Sequence, residues 1–177
     1  MAYDQVGERK PRALGVQRRK VYLGIGSNMG DRMEFLAGAV SGITAVAAPG
    51  DVKLSPVYET EPMGGPPDQR PYLNMVVQWT TDLPAVEILE FAGMLEERAG
   101  RIRQERFGPR TLDVDVLFIE GEIVATEELE VPHPRMWQRK FVLAPLRDMA
   151  PELVPDDVFG AAIGDVRKVG TMQNQAG

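Results

Sequence analysis

The chain has 177 residues, 44% hydrophobic and 26% charged, which suits one globular domain of ordinary size with a substantial core. Its formal net charge of −6 argues against a nonspecific grip on nucleic acid. Cysteine is absent and His133 is the single histidine, which excludes disulfides, thiol nucleophiles, iron–sulfur clusters and multi-histidine metal sites. A metal here would be a hard cation held by carboxylates and substrate oxygens. The first residues are basic (Arg9, Lys10, Arg12, Arg18, Arg19, Lys20) with no apolar stretch behind them, so they are not a secretory signal. Residues 1–19 are expected to be a flexible basic extension. No run of about 18 apolar residues occurs, and the expectation is a soluble, cytoplasmic protein.

Val21 to Gly26 reads as a strand running into a glycine turn. Asp31, with Glu34 three residues on, has the form of a helix start; Leu36, Ala39, Val40, Ile43 and Ala47 follow at helical spacing. Residues 52–59 form a second strand in which Pro56 implies an edge or an irregularity. The Pro/Gly-rich stretch 60–71 is long for a hairpin connection, as functional loops often are. Tyr72 to Thr80 is a third strand. Pro84 starts a helix with Ala85, Ile88, Leu89, Ala92, Leu95 and Ala99 on one face, closed by Gly100. A polar loop leads into a strand over Thr111–Ile119.

The order β-α-β-β-α-β predicts an α+β, ferredoxin-like antiparallel sheet with two helices on one face. Residues 120–154 are expected to add a hairpin and short helices. The folded unit is expected to span 20–160, with 161–177 a tail, in part disordered.

Strand alternation separates the chemistry from the core. Asp113 and Asp115 share a face opposite Leu112, Val114, Val116 and Phe118; Tyr72, Asn74 and Gln78 share one opposite Leu73, Met75, Val77 and Trp79. The two aspartates lie about 7 Å apart at Cα, so their carboxylates can converge on one cation or a close pair. An ordinary pair of solvated carboxylates has the same spacing. Arg101, Arg103, Arg106 and Arg110 precede them, however, and guanidinium groups suit phosphate oxygens. Carboxylates beside arginines in an acidic chain point to a polyphosphate site. No Walker loop, H-R-D or D-F-G motif occurs, and Met29 stands where a dinucleotide fingerprint needs its third glycine. Tyr72, Phe107 and Phe141 are candidates to stack on a flat heterocycle, with core packing the alternative for each.

The segment Arg106-Phe-Gly-Pro-Arg110-Thr-Leu-Asp113-Val-Asp115-Val-Leu resembles the signature of hydroxymethyldihydropterin pyrophosphokinases. Gly26-Ser-Asn-Met-Gly30, Tyr58-Glu-Thr-Glu-Pro-Met-Gly64, Tyr72-Leu-Asn74 and Val131-Pro-His133 are similar to further segments of that family, and the likeness covers about residues 20–155. It implies transfer of the terminal diphosphate of ATP to a pterin alcohol in folate synthesis, with AMP as the other product. It also implies two Mg²⁺ ions on Asp113 and Asp115, and Arg101 and Arg110 as catalytic-loop arginines. Arg103, Arg110, His133 and Arg139 would contact ATP. Thr60, Met63, Tyr72, Asn74 and Phe141 would surround the pterin, with Phe107 as a lid. A monomer is implied, with small-molecule substrates and no nucleic-acid or membrane partner. Phe107, Pro134 and Glu61 depart from residues common in the family.

The expected reaction is in-line attack by the pterin hydroxyl on the β-phosphorus of ATP, with loops 61–70 and 101–110 closing over the reactants. Two other readings share part of the pattern: a Mg²⁺-dependent nuclease or nucleotidyltransferase, and a non-catalytic module on the same fold. The first leaves Tyr72 and Asn74 without a role, and the second leaves the aspartates and arginines without one.

Overall fold

The computed structural model describes residues 17–101 and 108–172. Eight strands and four helices follow in the order β1 (Arg19–Ser27), α1 (Arg32–Val46), β2 (Val52–Leu54), β3 (Pro56–Thr60), β4 (Tyr72–Thr81), α2 (Ala85–Arg98), β5 (Asp113–Ile119), β6 (Val124–Ala125), β7 (Glu130–Val131), α3 (Lys140–Met149), α4 (Asp156–Ala161) and β8 (Val166–Thr171). The protein is α+β. Its main sheet runs β5-β1-β4-β3-β8, with β2 also pairing β4, and every pairing is antiparallel. The β6–β7 hairpin stands apart. Among the described residues no helix is long and apolar enough to cross a membrane.

One face of the sheet carries Val21, Leu23, Ile25, Leu73, Met75, Val77, Trp79, Val114 and Val116, packed with Leu36, Val40 and Ile43 of α1 and Ile88, Phe91 and Leu95 of α2. The Asp31 carboxylate caps α1 by accepting the Glu34 N–H at 3.1 Å, satisfying one of the helix's free donors. The helices approach closely at Gly42, where a Cβ would lie 2.6 Å from Leu95 Cδ2.

The opposite face is divided. Tyr22, Val76 and Leu117 lie under Met136, Val142, Leu143 and Leu146 in a second core. The segment expected as an appendage therefore seals half of this face, and the polar residues of β3, β4 and β5 occupy the other half. Pro56 does interrupt the second strand: β2 and β3 are separate, and Ser55 Oγ accepts the Val76 N–H at 2.9 Å in the break.

Three expectations change. Phe118 does not stay with Val114 and Val116, because β5 shifts register against β1 between Leu23↔Val116 and Tyr22↔Phe118. The extra residue puts Leu117 and Phe118 together in the second core, with the Phe118 ring 6.0 Å from that of Tyr22. Arg18 and Arg19, assigned to the basic extension, are held in the fold by Asp51 and Glu122, and Arg19 heads β1. Of the expected tail, Val166–Thr171 is an edge strand on β3. The rest of the extension (1–16) and the chain end (173–177) lie outside the described residues.

Candidate active site

The open half of the second face holds a cavity of about 240 Å³ walled by β3, β4, β5, the loop 61–64 and the turn before α3. Nine expected site residues line it: Thr60, Met63, Tyr72, Asn74, Arg110, Asp113, Asp115, Arg139 and Phe141. Register explains the convergence. Thr60 faces Tyr72 and Tyr58 faces Asn74 across β3–β4, while Gly26 pairs with both Asn74 and Asp113 across β4–β1–β5. Residues from three strands are thereby brought onto one patch.

Asn74 is buried, and its Nδ2 donates to Thr60 Oγ1 at 2.8 Å. Its other edge lies over Gly26, where any Cβ would fall 2.5 Å from Asn74 Oδ1. A side chain at position 26 would push the amide out of place, which gives this glycine a steric reason. Tyr72 closes the same wall, its hydroxyl donating to the Gly108 carbonyl at 3.4 Å, and burial raises its pKa. The Arg139 guanidinium lies 5.5 Å from the Phe141 ring centroid, a cation–π distance.

The two aspartates differ. Asp113 Oδ1 accepts from Arg110 at 2.6 Å and is 2.9 Å from Arg101. Asp115 is half-buried, and its pKa is raised by desolvation first and by the Asp113 charge second, against the pull of His133, Arg139 and Arg110. Among the described residues no group of three or more His, Cys, Asp or Glu gathers around a point. Asp113 and Asp115, neighbours on β5, are the carboxylates here that could hold a hard cation, and Mg²⁺ commonly takes one or two carboxylates and completes its shell with phosphate and water.

His133 lines a second cavity, of about 300 Å³, along the β5 edge with Leu89, Val116, Glu128 and Pro134. Asp115 lines both cavities. Burial lowers the His133 pKa, with the Asp115 charge opposing. Arg103 and Phe107, the remaining site expectations, lie outside the described residues, as does Arg106.

Sequence reasoning missed five contributors. Glu96 of α2 is only 8% exposed, accepts the Val114 N–H at 2.9 Å, and binds Arg101; it links the arginine loop to the strand bearing the aspartates. Its helical spacing to Ala92 and Gly100 was the available signal, since a Glu on an apolar face needs a partner. Asn28, 1% exposed, accepts the Arg110 N–H at 2.7 Å and donates to Gln69 Oε1 and the Arg70 carbonyl at 3.2 and 3.4 Å. Gln69 in turn donates to the Gly64 and Pro66 carbonyls. One amide therefore ties the end of the arginine loop to the Pro/Gly-rich loop. Glu61 and Arg135, both exposed, line the first cavity as well.

The model of the family described as 7,8-dihydro-6-hydroxymethylpterin-pyrophosphokinase (HPPK) matches residues 22–151, well over half of the chain. The 2-amino-4-hydroxy-6-hydroxymethyldihydropteridine pyrophosphokinase of Bacillus subtilis (strain 168) is 45% identical over 132 residues, 75% of this chain and 78% of that protein. Proteins of the same name from Methylorubrum extorquens and Pseudomonas aeruginosa are 43% and 37% identical, over 76% and 78% of this chain and 85% of each relative. The matched span runs from within β1 to the end of α3 and holds every residue named above as a wall of either cavity. The chain belongs to the 7,8-dihydro-6-hydroxymethylpterin-pyrophosphokinase family.

Proposed function

We propose that this protein transfers the β,γ-diphosphate of ATP to 6-hydroxymethyl-7,8-dihydropterin, giving AMP and the pterin diphosphate, as a step in folate synthesis. The observation that carries the reading is the single cavity in which Tyr72, Asn74 and Phe141 meet Arg110, Asp113, Asp115 and Arg139. A flat heterocycle fits the first set and phosphates fit the second. The strand order β5-β1-β4-β3, with α1 and α2 in one core, supports assigning the fold to the ferredoxin-like, split βαβ type.

In this reading Asn74, held by Thr60, bonds the edge of the pterin between Tyr72 and Phe141, with Met63 above it. The nucleotide enters along the second cavity past His133, and its phosphates cross Asp115 into the first. Asp113 and Asp115 would hold Mg²⁺, two ions by the family resemblance, and the bound metal supplies neutralisation of phosphate charge. Arg101 and Arg110 stabilise charge as the diphosphate moves, the role that oriented guanidiniums serve best. They already sit on Asp113, which keeps them aimed at the reacting centre. Closure of the loops over the pterin would exclude water as a competing acceptor. Arg103 and Phe107 complete the proposal as nucleotide contact and lid. The family resemblance supports a monomer acting in the cytoplasm on small molecules alone.

The test is AMP formation from ATP and Mg²⁺, with and without the pterin. AMP that appears only with the pterin and disappears in Asp115→Ala supports the reading. AMP made regardless of the pterin, or none from folded protein, would overturn it.

A further inference from the structure

We propose that Arg135 is a nucleotide-binding residue that, with Arg139, takes the terminal phosphates of the nucleotide. The inference rests on the ATP-dependent reading above and deepens it.

Arg135 stands at a turn that passes from one cavity to the other. His133 and Pro134 line the second cavity, and Arg135 and Arg139 line the first. The turn is fixed at both ends. The His133 N–H donates to the Leu117 carbonyl at 2.8 Å, the Arg135 N–H to His133 Nδ1 at 3.2 Å, and Met136 is buried in the second core. Behind Arg139, the Lys140 N–H donates to the Ile163 carbonyl and the Ile163 N–H to the Gln138 carbonyl, both at 3.0 Å. Two guanidinium-bearing positions four residues apart are therefore presented from a braced backbone.

Partners separate these arginines from the others. Arg101 and Arg110 are occupied by Glu96 and Asp113. Arg135 and Arg139 pair with no carboxylate among the described residues, and Arg139 has only the Phe141 ring beneath it. Burial first, then the charge of Arg135, pushes the Arg139 pKa down while the Asp115 and Asp113 charges oppose it, so two like charges lie near each other with no carboxylate in contact as counter-ion among the described residues. A diphosphate supplies that counter-ion, and forked donors match its oxygens.

The second cavity fixes which phosphates. Glu127, Glu128 and Glu130 line it, so it repels phosphate and suits the uncharged base and ribose. A nucleotide with its base there brings its α-phosphate to Asp115, shared by the two cavities, and only its later phosphates to Arg135. AMP ends before reaching it.

Calorimetric titration of wild type, Arg135→Ala and Arg135→Lys with ATP and with AMP, all with Mg²⁺, tests this. Arg135 is exposed, so the variants should fold, and an unchanged thermal midpoint checks that. Arg135→Ala should weaken ATP about tenfold, as loss of a charged hydrogen bond does, and leave AMP unchanged, with Lys restoring part of the loss. Equal weakening of ATP and AMP would overturn the proposal and move Arg135 to the base or ribose. Unaltered ATP binding would overturn it and leave Arg135 in solvent. Failure of the wild type to bind ATP at all would instead sink the ATP-dependent reading itself.

Discussion

On the face covered by α1 and α2, the central strands turn aliphatic and aromatic side chains inward, and burial decides every position. On the opposite face the same strands carry Tyr22, Val76 and Leu117 under α3, then Tyr72, Asn74, Asp113 and Asp115 in the cavity. One backbone register serves both, since residues two apart share a side. The difference lies in what each side chain is for. The first face is organised for stability, whereas the second gives up burial at one end in order to hold charge there. Substitutions on the two faces should therefore fail in opposite ways.

Asp115→Asn should have the largest effect. In the proposed role of Asp115 as a ligand of phosphate-bound metal, its removal is expected to lower turnover on the order of 10³-fold. Stability should move the other way. Because burial and Asp113 raise the Asp115 pKa in the folded state, its ionised form at neutral pH opposes folding. The variant should melt higher than wild type in EDTA. A lower midpoint would mean that Arg110, Arg139 and His133 outweigh the desolvation of that carboxylate.

Trp79→Ala reverses the pattern. Trp79 is 1% exposed and its ring lies 5.3 Å from that of Phe91. Truncation should cost about 3–5 kcal/mol in denaturant unfolding while leaving both KM values of the folded enzyme as they were. A raised pterin KM would show that the two faces are mechanically coupled through β4.

Asn28→Ala should come next. It leaves the Arg110 N–H without its acceptor and releases Gln69, a loss of about 1–3 kcal/mol. Both loops lose their common anchor, so kcat should fall and the pterin KM rise together. Asn28→Asp keeps the acceptor and drops the donor, so it should preserve the arginine-loop contact and loosen only the 61–70 loop. If Asp behaved like Ala, the contact with Arg110 would not be the important one.

How much of this could be read from the chain follows the same division. Local signals carried well: the Asp31 cap, the apolar stripes of both helices, the break at Pro56, and the alternation that set Asp113 and Asp115 on the side of Asn74. The gathered cavity was legible because strand periodicity and a long motif agreed. Effects that need a partner distant in sequence were not. A bulge opposite Tyr22 turns Phe118 over, and nothing in the β5 sequence alone marks it. α3 covers a face that alternation assigned to polar groups. Glu96 takes its role from Arg101 and the Val114 N–H, neither of which lies on its own helix. Arg135 is exposed and reaches the site only through the turn that also carries His133. The strand β8 has few apolar anchors, since it is held by backbone pairing and by charges at the sheet edge rather than by a core.

That edge gives the smallest effect. Glu59 on β3 binds Arg167 of β8 at 2.5 Å and Arg32 of α1 at 3.1 Å, and these hydrogen bonds, Arg167 first, lower its pKa. A carboxylate whose folded-state pKa is lowered contributes stability above its unfolded pKa and loses it as pH falls toward the folded value. The wild-type midpoint should therefore drop on acidification below the ordinary glutamate range. Glu59→Gln should melt slightly lower near neutrality and lose less on acidification, so the two curves converge at low pH. Being solvent-screened, the pair should give only a small shift. Parallel curves at all pH values would mean that β8 is held by its backbone ladder alone. A raised pterin KM in the same variant would mean that the edge brace reaches Thr60, the next residue on β3 and a wall of the cavity.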